Sequence, residues 1–334
     1  MPTTRSTART PRSSASSPRS CAASDTLGVV TPRRFLTALA ATSVLAGAAA
    51  CTPSAQTATP PGTASSSASV PSPGGDAGTA SLDALASSAA AAVKSMSVPV
   101  PGTVPPTWLG TRALPLRADG YGEIRSTPKE LRQRRFTLPD TVAELPGAGF
   151  ASRIVTPAPT DVIARSTWQP GCPVGKDDLS WIRLTFRGFD GQRHTGELLL
   201  NRSVAADVVS AFHDLWRQEF PLEEMRVTTR AELDAPPYGD GNDTSAFVCR
   251  PAVGSTHFSE HAYGLAVDVN PFQNPYTKGD LVLPELASSY LDRDRIRPGM
   301  LTPAAIAAFA RIGWEWGGDW HSLKDRHHFS LNNR

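Results

Sequence analysis

Two groups of residues in this 334-residue chain have types and spacings that could do chemistry. The first is the stretch Ser259 to Asp268, with His261 and Asp268 seven positions apart. The second is Asp325-Arg326-His327-His328-Phe329, preceded by Asp319 and His321. Imidazole and carboxylate both ligate zinc, and a catalytic zinc site takes three protein ligands plus an open position for water. His261 and Asp268 supply two ligands, and His321, His327 and His328 compete to be the third. Hydrolysis at such a centre also needs a base for the water proton, a task for a nearby carboxylate. Asp319 and Asp325 are both available for it. Spacing alone does not choose among these, and a His–Asp pair seven positions apart is as readily a structural hydrogen bond.

The elements that must position these residues are short. Read as a strand from Gly264, the chain puts Leu265, Val267 and Val269 on a core-like face. Ala266 and Asp268 fall on the opposite face, as suits a strand lining a site. Upstream, Leu179–Phe186 and His194–Leu200 flank an Asp190-Gly191 turn signal and predict a hairpin. Ser203 is a plausible N-cap, followed by Val204, Val208, Phe212, Leu215 and Trp216 at helical spacing through Phe220. His213 on this helix reads as a surface residue. Further strands are expected at Glu224–Thr229, Ser245–Cys249, Trp314–Trp316 and His328–Leu331, and short helices at Thr127–Arg134 and Glu285–Leu291. Residues 234–244 read as a loop. Thr302-Pro303 predicts a capped helix with Ile306, Phe309 and Ile312 on its apolar face and Gly313 as its stop. The fold class expected is α+β, a small, mostly antiparallel sheet with a few flanking helices.

The chain is not uniform. Residues 1–50 hold six arginines and one acid, so the formal charge of +2 hides 27 basic against 30 acidic residues, a net −3, in the remainder. That weakly acidic balance gives no reason to expect a nucleic-acid partner. Arg33-Arg34 precede an apolar run, Phe35 to Ala50, of signal-peptide length and short of a membrane span. The run ends Gly47-Ala48-Ala49-Ala50-Cys51, which resembles a bacterial lipobox, although leucine is usual where Ala48 stands. Lipidation at Cys51 is therefore expected, with plain cleavage and secretion as the alternative. Residues 1–50 are read as disordered leader plus signal peptide. Residues 51–107, rich in Ser, Ala, Thr and Pro, read as a tether too polar to build a core. Residues 108–165 read as an extended arm packed on the domain, and 166–334 as the compact domain. Of four cysteines, Cys172 and Cys249 fall where folding is expected. In an exported domain they are expected to pair, the alternative being two buried thiols.

Ser259-x-His261-x-x-Gly264-x-Ala266-x-Asp268, with Asp325-x-x-His328-Phe329, resembles the signature of the VanY-like D-alanyl-D-alanine carboxypeptidases. These zinc peptidases form a wider group with lysostaphin and the hedgehog signalling domain. Asn242-x-Thr244-Ser245-Ala246-Phe247-x-Cys249-Arg250, Asn270-Pro271-Phe272-Gln273-Asn274-Pro275-Tyr276 and Trp314-x-Trp316-Gly317-Gly318-Asp319-Trp320 resemble its extracellular, often actinobacterial branch. The resemblance covers roughly residues 165–334 and implies a hedgehog/D-Ala-D-Ala-peptidase-like fold. It implies Zn2+ held by His261, Asp268 and His328, with Asp325 as base. The chain must then turn between Asp325 and His328, since a flat strand would put them on opposite faces. Proline often precedes the last ligand in the family. Here His327 does, and it is expected to face away. Asp319 is expected to close the Trp-Gly-Gly-Asp-Trp turn, and His257 to face solvent. Arg250 is the candidate for holding the polarised carbonyl or substrate carboxylate, with Ser245 as a second polar contact. Tyr263 and Trp320 would line the substrate cleft, and Ser259 would support the first ligand from behind.

The implied function is hydrolysis of peptidoglycan peptides at or near D-alanine by a monomer outside the membrane, lipid-anchored at Cys51 or secreted into the wall. Two alternatives stand beside it. One is an L-alanyl-D-glutamate or crossbridge endopeptidase on the same scaffold. The other is a non-catalytic wall-binding lipoprotein with a structural metal, against which Asp325 argues, since a structural site needs no base.

Overall fold

The structure is a computed structural model that describes residues 100–332. The expected leader, Cys51 and the tether as far as residue 99 lie outside those residues.

The largest sheet forms first in the chain. Strand β1 (Ser152–Val155) is followed by helix α1 (Thr160–Arg165), then by β2 (Leu179–Gly188) and β3 (Arg193–Asn201). The last two make the expected hairpin, in register from Leu179↔Asn201 to Arg187↔Arg193. Gly191, at φ +76°, takes the left-handed turn position. β1 pairs antiparallel with β2, Ser152 opposite Leu184 and Val155 opposite Trp181. The stretch read as an irregular arm therefore supplies an edge strand and a helix. Period-two alternation sends Ile182, Leu184, Phe186, Leu198 and Leu200 into the main core. There they meet helix α2 (Ala205–Arg217) through Val208, Ala211, Phe212 and Leu215.

Two details of α2 depart from expectation. Ser203 is not its cap. The Ser203 amide and hydroxyl both donate to Asn201 Oδ1, and Val204 takes the cap position with no side-chain bond. The helix stops at Arg217 rather than Phe220, and Glu219 turns the chain with a positive φ of 53°.

Short elements follow. β4 (Pro221–Leu222) runs parallel to β2, and β5 (Glu224–Met225) parallel to β6 (Asp243–Thr244). The strand expected to reach Thr229 ends early because Thr229 starts helix α3 (Arg230–Leu233). Its hydroxyl accepts from the Glu232 amide and Glu232 accepts from the Thr229 amide, a reciprocal cap legible in Thr-x-x-Glu. Ser245–Cys249 does not continue as a strand, because its amides go to scattered partners. Ser245 donates to Asp268 O, Phe247 to Leu199 O and Cys249 to Thr167 Oγ1.

The remaining elements are β7 (Ala266–Asp268), β8 (Tyr276–Lys278), β9 (Leu281–Leu283), α4 (Pro303–Ala310), β10 (Glu315–Trp316), β11 (Lys324–Asp325) and β12 (His328–Ser330). They build two three-stranded sheets, ordered β10-β12-β7 and β11-β8-β9. α4 starts as expected, with the Thr302 hydroxyl accepting from the Ala305 amide and Pro303 in the first turn. The expected helix at 285–291 is only the 3-10 turn Ser288–Tyr290. The one expected at Thr127–Arg134 is a set of turns, because the buried Thr127 hydroxyl donates across to Leu286 O at 2.6 Å.

Cys172 and Cys249 form the expected disulfide, with S–S 2.06 Å. A second apolar cluster, with Leu131, Phe136, Phe272, Tyr290 and Met300, joins the 108–138 stretch to the loops behind β7. The observed class is α+β with antiparallel pairing dominant.

Candidate metal centre

β7 and β12 pair antiparallel, with Asp268 directly opposite His328 and Val267 opposite Phe329. Opposed residues share a face, so Val267 and Phe329 point together into the core while Asp268 and His328 point together out of it. Phe329 is fully buried and stacks on Phe309, ring centroids 4.0 Å apart, which fixes the register of His328. On its other side, β7 is held by mutual backbone bonds between Ser245 and Asp268.

His261 arrives from the 3-10 turn Glu260–Tyr263. The Ser259 hydroxyl caps that turn by accepting from the His261 amide, so Ser259 acts on the backbone rather than on the ring. Gly264 ends the turn at φ +69°, and an added Cβ would lie 2.5 Å from the Asn201 amide nitrogen. Both facts call for glycine at this place in the motif. The ring is oriented from behind by Ala246, whose carbonyl accepts from His261 Nδ1 at 2.5 Å. A carbonyl can only accept, so Nδ1 carries the hydrogen and Nε2 offers a lone pair.

That lone pair faces two other donors. His261 Nε2 lies 3.1 Å from His328 Nδ1 and 3.2 Å from Asp268 Oδ1, and His328 Nδ1 lies 3.2 Å from the same oxygen. Zinc bonds of about 2.1 Å in tetrahedral array space their donors about 3.4 Å apart. The observed triangle is close to that size, and its three ligand atoms lie together on a buried surface. The arrangement calls for a cation. Burial opposes charge on Asp268, yet the His261 and His327 imidazoles beside it, with the bonds from His261 and His328, hold its pKa well below the usual range. Burial likewise favours neutral His328, but the Asp268 hydrogen bond, with the charges of Asp325 and Asp268, raises its pKa. The residues present fit a divalent metal with two nitrogen donors and one oxygen donor.

Asp325 stands on the other sheet, at the end of β11 and opposite Tyr276 of β8. The two-residue turn Arg326-His327 carries the chain from β11 to β12. That is the turn the resemblance implied. It is pinned by Trp316, whose Nε1 donates to Arg326 O at 2.8 Å. Gly317 packs beneath: an added Cβ would meet Asp325 O at 2.7 Å, Asp325 Cβ at 3.0 Å and His328 Cβ at 3.4 Å. Gly317→Ala should therefore displace Asp325 from the His261, Asp268 and His328 triangle. The expected result is a fall in kcat/KM of about 10–100-fold, as for small misplacements of reacting groups. Peptide-release kinetics would check it, and an unchanged rate would show that the spacing is not critical.

His327 does not face away. Its Nδ1 donates to Asn274 O at 2.8 Å, and its Nε2 lies 3.0 Å from Asp325 Oδ1 and 3.8 Å from Asp268 Oδ2. The Asp325 contact is not aligned as a hydrogen bond. The expectation failed because the turn, not strand alternation, sets the direction of this ring. His327 stays outside the ligand triangle and flanks Asp325 instead.

Arg250, Asp268, Asp325 and His327 open on a cavity of about 300 Å³, with Tyr276 and Glu285 also on its walls. Burial and the charge of Asp325 push the Tyr276 phenol up to about 12. Trp320 lies against His328, ring centroids 5.4 Å apart. Tyr263 is not brought to this cavity. It is exposed and opens, with Ser259, Glu260 and Phe258, on a separate groove. Ser245 meets the centre through its backbone bonds to Asp268. His257 and His321 are exposed, and Asp319 ends the Gly317–Asp319 turn with its side chain in solvent. Sequence reasoning missed Ala246, Tyr276 and Gly317, and expected His327 to face away. Of these, only Gly317, in a Gly-Gly pair between tryptophans, carried a local signal.

Residues 253–331 match the family model described as D-alanyl-D-alanine carboxypeptidase. The three ligand candidates and Asp325 all fall inside that span, and the resemblance to the VanY-like family holds over it. Arg250 and Ser245 lie outside it. No curated protein and no solved structure matches the chain.

Proposed function

We propose, taking the family match over 253–331 as premise, that the chain is a zinc-dependent peptidase acting on peptidoglycan peptides at or near D-alanine. The observation that carries this reading is the triangle of His261 Nε2, Asp268 Oδ1 and His328 Nδ1 beside a cavity that also holds Asp325 and Arg250. His261, Asp268 and His328 would hold the metal. When bound there, zinc supplies Lewis acidity, making water more acidic and an amide carbonyl more electrophilic.

The protein groups do the rest. Asp325 takes the proton from the attacking water and returns it to the leaving amine. His327, anchored on Asn274 O, packs against the Asp325 carboxylate. Arg250, on the cavity wall, offers a cation to a terminal carboxylate. That feature supports a carboxypeptidase over the endopeptidase alternative, which has no terminal carboxylate to read. The leader and lipobox-like Cys51 support export to the outer face of the membrane or into the wall. The low net charge of the rest gives no support for a nucleic-acid partner.

The test is the full chain, zinc-loaded and zinc-stripped, incubated with muropeptides and read by mass. Release of free D-alanine by the loaded form alone is expected. Internal fragments would move the assignment to the endopeptidase reading. Absence of any product with zinc bound would sink the enzyme reading and leave a wall-binding protein.

A further inference from the structure

Several arginines take no part in the metal centre. Arg132 and Arg135 from the N-terminal stretch, and Arg295 and Arg297 from the loop before α4, line a cavity of about 420 Å³ with Ser289 and Tyr290. None of these four arginines makes an ion pair among the described residues. Elsewhere Arg117, Arg125, Arg165, Arg202, Arg217, Arg226 and Arg311 each meet a carboxylate. Arg134 also reaches this cavity, but its charge is matched by Glu223. The one acid on the wall is Asp292, and its Oδ1 is engaged by the Asp294 amide. Four guanidinium groups thus share a concave surface with one carboxylate.

The donors there are not all used. Arg297 spans the cavity wall, donating from Nη1 to Arg132 O at 2.8 Å and from Nη2 to Ser289 O, with its guanidinium 3.6 Å above the Tyr290 ring. Its Nε is buried without a partner, as are Arg135 Nε and Ser289 Oγ. Those atoms are closed off, but Arg135 and Arg295 make no side-chain hydrogen bond among the described residues, so their guanidinium groups on the cavity wall are open to a ligand rich in acceptors. Burial, and the nearby charge of Arg295, lower the pKa of Arg297 against the pull of Tyr290 and Asp292.

We propose that this cavity is a binding site for a phosphate group, separate from the metal centre and independent of the reading given for it. The donors come from two separate segments of chain, so a ligand must present acceptors in more than one direction. A carboxylate has two oxygens and satisfies one guanidinium fork, whereas a phosphate monoester or diester presents oxygens to several. The group could belong to a soluble phosphate ester or to a lipid headgroup.

The full chain, treated with chelator so that no bound metal captures the anion, is titrated calorimetrically with inorganic phosphate, glycerophosphoglycerol and acetate. Flotation with phosphatidylglycerol vesicles is run in parallel. Saturable phosphate binding is expected, weakened at least tenfold in the Arg135→Gln/Arg295→Gln variant and unchanged in Arg153→Gln, an exposed arginine on β1. If the double variant melts early, Arg295→Gln alone, on an exposed side chain, should still weaken binding. Vesicle binding that falls in the same variants, and exceeds that of the diester, assigns the site to a headgroup; diester binding without it assigns a soluble ester. No saturable binding, equal binding by the variants, or acetate binding as tight as phosphate would overturn the proposal.

Discussion

Asp325→Asn is expected to leave zinc bound and to abolish the proposed hydrolysis, with kcat reduced by about 10²–10⁴-fold, the usual worth of a positioned general acid–base group. The separation of effects follows from the architecture. The ligand atoms lie on β7, β12 and the 3-10 turn at His261, while Asp325 ends β11 of the other sheet. The amide keeps the size of the carboxylate and the turn held by Trp316, but cannot take a proton. Equilibrium zinc competition and single-turnover release of D-alanine check the two halves. Retained activity would show that the base has been misassigned. Loss of zinc together with activity would show that Asp325 is part of the ligand set.

Arg134→Met is expected to cost about 3–5 kcal/mol of stability, the penalty for leaving a buried charge without its partner. Arg134 and Glu223 have side chains 1% and 0% exposed and form two parallel bonds of 2.7 and 2.6 Å. The guanidinium also donates to Asp240 O and lies between the rings of Phe136 and Phe272. Asn242 Nδ2 adds a bond to Glu223 Oε2 at 2.8 Å. In the single variant Glu223 remains buried with only the amide. The Arg134→Met/Glu223→Leu double variant should recover most of the loss, because two apolar groups replace two charges. Burial already raises the pKa of Glu223 above 4.5 against the pull of Arg134, and removing Arg134 raises it further. Stability linked to a raised carboxyl is present below the unfolded value and lost as pH climbs through the folded one. The deficit of the single variant should therefore open above about pH 4.5 and shrink below it, as urea midpoints across pH would show. A cost under 1 kcal/mol at neutral pH would mean that water reaches the pair.

The parts of the fold legible in the sequence were those written in a local period. The β2–β3 hairpin follows from alternation and Asp190-Gly191, and α2 from its apolar spacing. The core-facing set Leu265, Val267 and Val269 on and beside β7 is of the same kind. The turn between Asp325 and His328 was legible only through the family resemblance, which places both in one site, since a flat strand would set them on opposite faces. What escaped notice depends on partners far along the chain. β5, β6, β10 and β11 are two residues long, too short for any period to show. Arg134 and Glu223 look like surface charges, and only a contact across 89 positions makes them a core. His327 differs from a bystander histidine only because Asn274 O waits 53 positions away to aim it.

Asp268 and His328 are ladder neighbours, although sixty positions separate them along the chain. The intervening segment is thus a closed loop whose length does not enter the metal geometry. Closure entropy grows only slowly with loop length, so the exposed Gly279-Asp280 turn between β8 and β9 can lengthen at little cost to the paired strands. Part of the cavity rim, Leu283 to Glu285, belongs to that loop. Changes at that rim would alter the depth of the cleft without moving Asp268 or His328, which the ladder holds in place.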